Sequence, residues 1–424
     1  MLDLKSIRED PETFQRALAR RSPALAEDLD RALELDRDRR ELTQEVEEQR
    51  AEQNRGSKAI GAAKAEERER LIAEVRRASE RLEELEPRLA QVEEELKSLL
   101  GRLPNPPHQS VPQGETDEDN ELLRTVGEPP ELGFEPRDHV DLGELLGIID
   151  LERAARVSGA RFAYLLDAAV LLQWALVRYC LDVLVEKDFT PVIPPVLVRE
   201  EAMYGTGFLP TDEAQIYATR DDDLYLVGTS EVPLAALHQG EILDADSLPR
   251  RYVGYSTCFR REAGAYGRDT RGIFRVHQFD KVEMFSFVEP DASWDEHEFL
   301  LSCEEELLQG LGIPYRVMNV CTGELGASAA KKYDLEAWLP GQGAYRELTS
   351  CSNTTDYQAR RLECRIRYQG GNRPAHTLNG TACAVGRTLI AILENFQRED
   401  GSVEVPEALH PYLPDRYRVL SPAG

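Results

Sequence analysis

A chain of 424 residues with 78 acidic and 51 basic side chains, a formal net charge of −27, has room for two or three domains and a large core. That charge works against non-specific nucleic-acid binding by the molecule as a whole, although binding depends on local fields rather than on the sum. Seven cysteines, at 180, 258, 303, 321, 351, 364 and 383, show no C-x-x-C or Cys/His clustering, so reduced thiols are expected, with neither a disulfide framework nor a structural zinc. No apolar run reads as a membrane span and Met1 leads directly into charged residues, which predicts no signal peptide, no membrane partner and a cytoplasmic location.

From the N-terminus, the first strong pattern is a heptad seam. Leu71, Val75, Ala78, Leu82, Leu85, Leu89, Val92, Leu96, Leu99 and Leu103 alternate spacings of four and three, which predicts a coiled-coil helix. A matching upstream seam runs Ala32, Leu35, Arg39, Leu42, Val46, Gln49, Gln53 and turns polar toward its far end, where packing should loosen. A break at Gly56 to Gly61 makes these two arms of an antiparallel hairpin, each of roughly 30 residues and about 45 Å. Pro87 predicts a kink near Glu83 to Pro87. Between Arg50 and Arg77 eight basic residues outnumber five acidic ones. Such a hairpin serves either as a dimerisation or packing element or as a reader of RNA.

Pro104-Asn105-Pro106-Pro107 through Asp117-Glu118-Asp119-Asn120 reads as a Pro-rich, acidic linker. The expected layout is therefore an N-terminal domain over 1–103, a linker over 104–125 and a main domain over 126–424. In the main domain Gly159 to Leu165 begins a strand, Asp167 to Glu186 is an apolar helix, and short strands and helices then alternate irregularly. No G-x-G-x-x-G or G-x-x-x-x-G-K-[ST] loop is present, so neither a Rossmann nor a P-loop site is expected. An antiparallel sheet flanked by helices is.

The densest chemistry lies in Cys258-Phe259-Arg260-Arg261-Glu262, then Gly267 to Gly272, then Phe274 to Glu283. Two strands around a Gly- and Arg-rich loop form a hairpin from which Arg260, Glu262, Arg275 and Glu283 can project into one pocket. Arginine fits phosphate oxygens, a carboxylate accepts from the adenine amine, and Phe279 offers a ring to a base. The plain alternative is a surface hairpin laced with salt bridges.

This segment resembles motif 2 of the class II aminoacyl-tRNA synthetases, in the wording of the seryl enzymes. Asn379-Gly380-Thr381-Ala382-Cys383-Ala384-Val385-Gly386-Arg387-Thr388 is similar to motif 3, and Leu184 to Pro195 resembles motif 1. Gly228-Thr229-Ser230-Glu231 and Glu347-Leu348-Thr349-Ser350-Cys351-Ser352-Asn353 are worded as in the same family. The resemblance spans essentially the whole chain. It implies an α+β fold, with an antiparallel-sheet class II catalytic domain preceded by an antiparallel coiled-coil hairpin that reads the long variable arm of tRNA(Ser) by shape. The implied activity joins L-serine to tRNA(Ser), and to tRNA(Sec), through a seryl-adenylate made from ATP with Mg²⁺, in a homodimer built on the motif 1 segment.

The resemblance also assigns residues. Thr229, Ser230, Glu231, Glu283 and Thr381 would bind serine. Arg260, Arg261, Glu262, Val276, Phe279, Glu347, Leu348, Thr349, Ser350 and Arg387 would bind ATP, and Glu347 with Ser350 would hold the metal. Alone, Arg387 could equally be half of a buried ion pair, and Glu347 with Ser350 an ordinary strand end. Arg261, where the family often has a small residue, should alternate away from the pocket. Thr381 stands where serine is frequent and keeps the hydroxyl. Two other readings use the same motifs: a ligase that charges a carrier protein, against which the N-terminal hairpin argues, and a catalytically dead homologue, against which Arg260, Glu262, Glu283, Glu347 and Arg387 argue.

Overall fold

The computed structural model describes residues 2–61, 63–264 and 271–422. The chain forms two compact units, 1–104 and 105–424.

In the first unit, short helices α1 (Leu4–Glu9) and α2 (Pro11–Ala19) precede the long helices α3 (Pro23–Ile60) and α4 (Ala65–Arg102). The helices pack along the predicted seam: Leu42, Val46, Leu82 and Leu85 are buried together, with Leu89 and Val92 against them. Beyond Val46 the contact becomes polar, and Gln53 Nε2 donates to Ser79 Oγ at 2.8 Å. Asp36 is buried in this unit because Arg8 (2.7 Å), Arg39 (2.8 Å) and Arg40 (3.2 Å) surround it. Burial would raise its carboxyl, but hydrogen bonds and charge from Arg8 and Arg39 bring it below the usual range.

One expectation needs correction here. The break does not begin at Gly56, because α3 continues to Ile60. A Cβ at Gly56 would sit 2.5 Å from Val75 Cγ2, so glycine here lets two helices approach rather than ending one. Pro87 lies inside α4, which runs from Ala65 to Arg102, so it does not end the helix.

The second unit is organised by one eight-stranded sheet. Its strands and the helices around them are, in chain order, β1 (Glu121–Val126), α5 (His139–Leu145), α6 (Ala168–Val185), β2 (Thr190–Val192), β3 (Arg250–Phe259), β4 (Gln278–Val288), α7 (Ser293–Gly310), β5 (Tyr315–Asn319), β6 (Lys331–Leu339), β7 (Ala344–Thr355), β8 (His376–Ala384) and α8 (Val385–Asn395). The spatial order is β1-β5-β6-β7-β8-β4-β3-β2. All neighbours are antiparallel except β2, which runs parallel to β3 at the edge. Long strands with both faces covered account for the core: Val253, Met284, Leu335, Cys351 and Leu378 from the sheet pack with Leu172 and Leu176 of α6, Leu300 of α7 and Ile390 of α8.

The stretch expected as a linker is folded into this unit. Asn105 is buried and donates to the carbonyls of Ser328 (2.9 Å) and Thr354 (2.8 Å), and β1 pairs with β5 as an edge strand. Composition signalled irregular chain here, but it could not show that the polar groups had partners. Helix α6, Ala168–Val185, is long and apolar enough to cross a membrane by length and composition, contrary to expectation. Here Leu172, Leu176 and Leu184 spend that apolarity on the core, fully buried.

Candidate active site

The hairpin is β3 against β4, in a register that sets Phe259 opposite Gln278 and Gly254 opposite Glu283. Gly267 to Thr270 lie outside the described residues. Arg260, Glu262 and Arg275 come from the loop rather than from strand faces. Arg260 and His277 prolong the pairing by one step, with the Arg260 N–H on the His277 carbonyl at 3.0 Å and His277 Nδ1 on the Arg260 carbonyl at 2.9 Å. Glu262 then takes a left-handed backbone, φ 49°, and pairs with Arg275 at 3.0 Å.

These residues open onto a cavity of ≈ 360 Å³. Of the expected site residues, Thr229, Glu231, Arg260, Glu262, Val276, Phe279, Glu347, Leu348, Ser350, Thr381 and Arg387 line it. At its middle, Arg260 Nε donates to the Gly228 carbonyl at 3.2 Å and the guanidinium lies 5.3 Å from the Phe279 ring centroid.

Four expected residues do not line it. Ser230 Oγ is buried against Ser256 Oγ at 2.7 Å. Thr349 Oγ1 donates at 3.3 Å to Glu304, a carboxylic group buried in α7 on the far side of the strand. Arg261 lies 5.9 Å over the Tyr217 ring, and its N–H donates to the Gln215 carbonyl at 2.9 Å. Glu283 is fully buried, held by Lys281 Nζ at 2.5 Å, Asn379 Nδ2 at 3.2 Å and Thr381 Oγ1 at 3.3 Å. It shares the face of Phe279, as alternation requires, but lies behind Lys281, Asn379 and Thr381, which do line the cavity.

Lys281, Lys332, Asn379 and Asp212 line the cavity without having been singled out. Lys281 was within reach of the argument that picks out Glu283, because positions 279, 281 and 283 share one face. Lys332 and Asp212 carry no comparable signal.

The two ends differ in charge. At one, Glu231 accepts from Gln358 Nε2 at 2.8 Å, and its N–H donates to Thr229 Oγ1 at 3.1 Å. Burial and the nearby Glu283 push its carboxyl up to about 7 against the pull of Lys281, Gln358 and Arg260. At the other, Arg387 Nη1 donates to the Glu347 carboxylate at 3.1 Å and to its carbonyl at 2.9 Å, while Lys332 Nζ stands 3.9 Å away. Burial would raise Glu347, but Lys332 and Arg387 prevail and bring it down to about 2.

Two strand irregularities shape these ends. In a regular strand, residues three apart face opposite ways. Between β6 and β7, however, Leu335 pairs with Thr349 and Glu336 with Glu347, leaving Leu348 as an inserted residue. This bulge brings Glu347 and Ser350 to one wall. Between β4 and β8, Val282 pairs with Cys383 and Glu283 with Thr381, so Ala382 is the inserted residue and Thr381 meets Glu283. A permanently ionised carboxylate beside a hydroxyl is a hard-oxygen donor set that fits Mg²⁺.

Residues 1–107 match the seryl-tRNA synthetase N-terminal domain, and residues 215–396 match the tRNA synthetase class II core domain (G, H, P, S and T). The chain belongs to the seryl-tRNA synthetase family. It is 50% identical to serine–tRNA ligase 1 of Streptomyces avermitilis over 427 aligned residues, covering 100% of both chains. It superposes on the seryl-tRNA synthetase of Pyrococcus horikoshii complexed with ATP with a TM-score of 0.94 and 45% identity, covering 100% of each chain. The cytoplasmic serine–tRNA ligase of Naegleria fowleri in complex with AMP gives 0.86 and 35%, over 98% of this chain and 96% of that one.

Proposed function

We propose that the chain is a serine–tRNA ligase that works in two steps: an oxygen of the serine carboxylate attacks the α-phosphorus of ATP and pyrophosphate leaves, and the terminal ribose hydroxyl of tRNA(Ser) then attacks the seryl carbonyl and AMP leaves. The observation that carries this is the polarity of one cavity: an end lined by the Glu231 carboxyl and the Thr229 and Thr381 hydroxyls, with Glu283 buried behind Thr381, suits serine's ammonium and hydroxyl, and an Arg387–Lys332 end suits polyphosphate. Arg260, between them, would hold the serine carboxylate and the α-phosphate. Glu262 would accept from the adenine amine, with Phe279 and Val276 bounding the base. Positioning and charge stabilisation are the main demands of such a reaction. Glu347 and Ser350 would hold Mg²⁺, whose chemistry is to neutralise phosphate charge. A site that hydrogen-bonds a hydroxyl rejects alanine, because its buried partners would be left unpaired.

The first unit is the reader of tRNA in this reading, with tRNA(Sec) as a further substrate. Arg50, Arg55, Lys58, Lys64, Arg68, Arg70, Arg76 and Arg77 are all exposed around the turn of the arm, as a rod that binds RNA backbone requires. A cytoplasmic homodimer completes the proposal. Helix α6 and the motif 1 segment that follows it leave Trp174, Val185 and Ile193 exposed, the last at 86%, apolar surface suited to an isologous contact.

The experiment is serine-dependent pyrophosphate exchange and tRNA charging, with the full chain and with residues 30–100 replaced by a short loop. Exchange should survive the deletion nearly intact while charging is abolished. Exchange absent from the full chain, or charging retained by the deletion, contradicts the proposal. Light scattering on the full chain, if it showed a fully active monomer, would exclude the homodimer.

A further inference from the structure

Helix α8 grips the returning side of the motif 2 loop at two points. Near its start, Arg387 Nε donates to the Phe274 carbonyl at 3.5 Å and the guanidinium covers the Phe274 ring at 4.6 Å. Glu394, seven residues on and so on the same side of the helix, reaches the neighbouring residue through an intermediary, His139 of α5. Glu394 Oε1 accepts from the backbone N–H of His139 and contacts its ring Nδ1, each at 3.1 Å, while Oε2 accepts the Gly341 N–H at 2.9 Å. The other ring nitrogen, Nε2, accepts the Ile273 N–H at 3.2 Å. A neutral imidazole carries its proton on the nitrogen that does not accept. The proton therefore sits on Nδ1, donated to Glu394.

The contacts around this network are close. His139 and Glu394 are 4% and 0% exposed. Gly272 has φ 81°, and a Cβ there would lie 1.9 Å from His139 Nε2, so a side chain at 272 would displace the ring. Arg271 pairs with Asp138 at 2.7 Å and with Asp141, on either side of His139. Neither His139 nor Glu394 lines the cavity, but Ile273, Phe274, Arg275 and Val276 do.

We infer that His139 is a positioning residue for ATP: braced by Glu394, it holds the Ile273 amide so that Phe274 lies under Arg387 and Arg275 meets Glu262. The inference rests on the proposed ATP site. It separates the two substrates, because the gripped segment belongs to the nucleotide side and not to the Glu231–Glu283 side.

Two variants test it. His139→Asn keeps an amide that can donate to Glu394 but ends short of the Nε2 position. His139→Gln places an amide oxygen near that position and can still accept from Ile273. Pyrophosphate exchange gives KM for ATP and for serine separately, and thermal melting reports on folding. His139→Asn should raise KM for ATP about tenfold, the order expected for one lost hydrogen bond, with KM for serine within about twofold. His139→Gln should recover most of the ATP effect at a melting temperature no higher than that of His139→Asn. An unchanged KM for ATP in the Asn variant, or parallel losses for both substrates that follow melting temperature, would overturn it. A wild-type enzyme that fails to exchange pyrophosphate with serine would instead overturn the functional reading. Calorimetric ATP binding to His139→Asn would then still test the positioning role.

Discussion

Glu231 and Glu347 line the same cavity, yet burial and the neighbouring Glu283 push the first up to about 7, whereas Lys332 and Arg387 bring the second down to about 2 against its burial. Residue type alone assigns both the same charge; position assigns them different chemistry. Glu347 is ionised at any working pH and is suited to a metal or to Arg387. Glu231 changes charge near neutrality, and its ionised form is the one that a ligand ammonium stabilises. One cavity thereby holds a fixed anion at one end and a responsive one at the other, which the proposed reading gives to the phosphates and to the amino acid.

The phosphate end gives the largest expected effect. Glu347→Gln keeps the shape but removes the charge that Arg387 and Lys332 share, so pyrophosphate exchange should fall about 10² to 10³-fold, the range seen when one charge-stabilising group is removed from an active site. The Mg²⁺ concentration for half-maximal exchange should rise at least about tenfold, with KM for serine little changed. If the Mg²⁺ titration does not move, Glu347 is not a metal ligand and the comparison loses one side.

At the amino-acid end the expected effect is a pH slope. Glu231 is mostly protonated below about 7 and ionised above it, so kcat/KM for serine should rise about tenfold per pH unit up to that point and then level off. Stability runs the other way. The folded chain keeps this proton longer than the unfolded chain, so the group's contribution is full below the ordinary value of 4.5 and is lost as pH rises through about 7. Glu231→Gln should flatten both trends. A serine profile with the same slope in the variant would assign the titration to another group.

How far the sequence led depends on which force set each feature. The coiled-coil arm was legible because a heptad of Leu and Val is a local pattern with one solution, and β3 and β4 were legible from alternation around Phe279 and Glu283. The polar end of the arm seam was legible too, in Gln49 and Gln53. Gly56 was not: a helix-ending glycine and a glycine at a close crossing look alike until Val75 is placed beside it. The linker over 104–125 failed for a related reason, since β1 is a strand only because β5 lies next to it. Within the site, most of the residues that the wording of the motifs brought out line the cavity, but side-chain direction depended on two bulges, at Leu348 and Ala382, that no period-two count contains. Lys281 stands apart, as the neighbour of Glu283 on the same face, visible to the same reasoning.

The bulge at Leu348 supports the smallest effect, which tests which way a strand residue points. Thr349 sits between Glu347 and Ser350 in a segment whose resemblance assigns it to ATP, yet its hydroxyl turns to Glu304, 3.3 Å away in a fully buried setting. Thr349→Val keeps the β-branched shape and removes that one donor. Glu304 would lose its hydrogen bond, and burial with the nearby Glu283 and Asp334 already pushes its carboxyl well above the ordinary range. The cost should therefore be that of a neutral hydrogen bond, about 1 kcal/mol of stability. KM for ATP should stay within about twofold, because no atom of the Thr349 side chain reaches the cavity. The checks are urea unfolding and ATP kinetics on the same preparation. A tenfold rise in KM for ATP at unchanged stability would turn Thr349 back toward the nucleotide, and with it the account of how the bulge brings Glu347 and Ser350 to one wall.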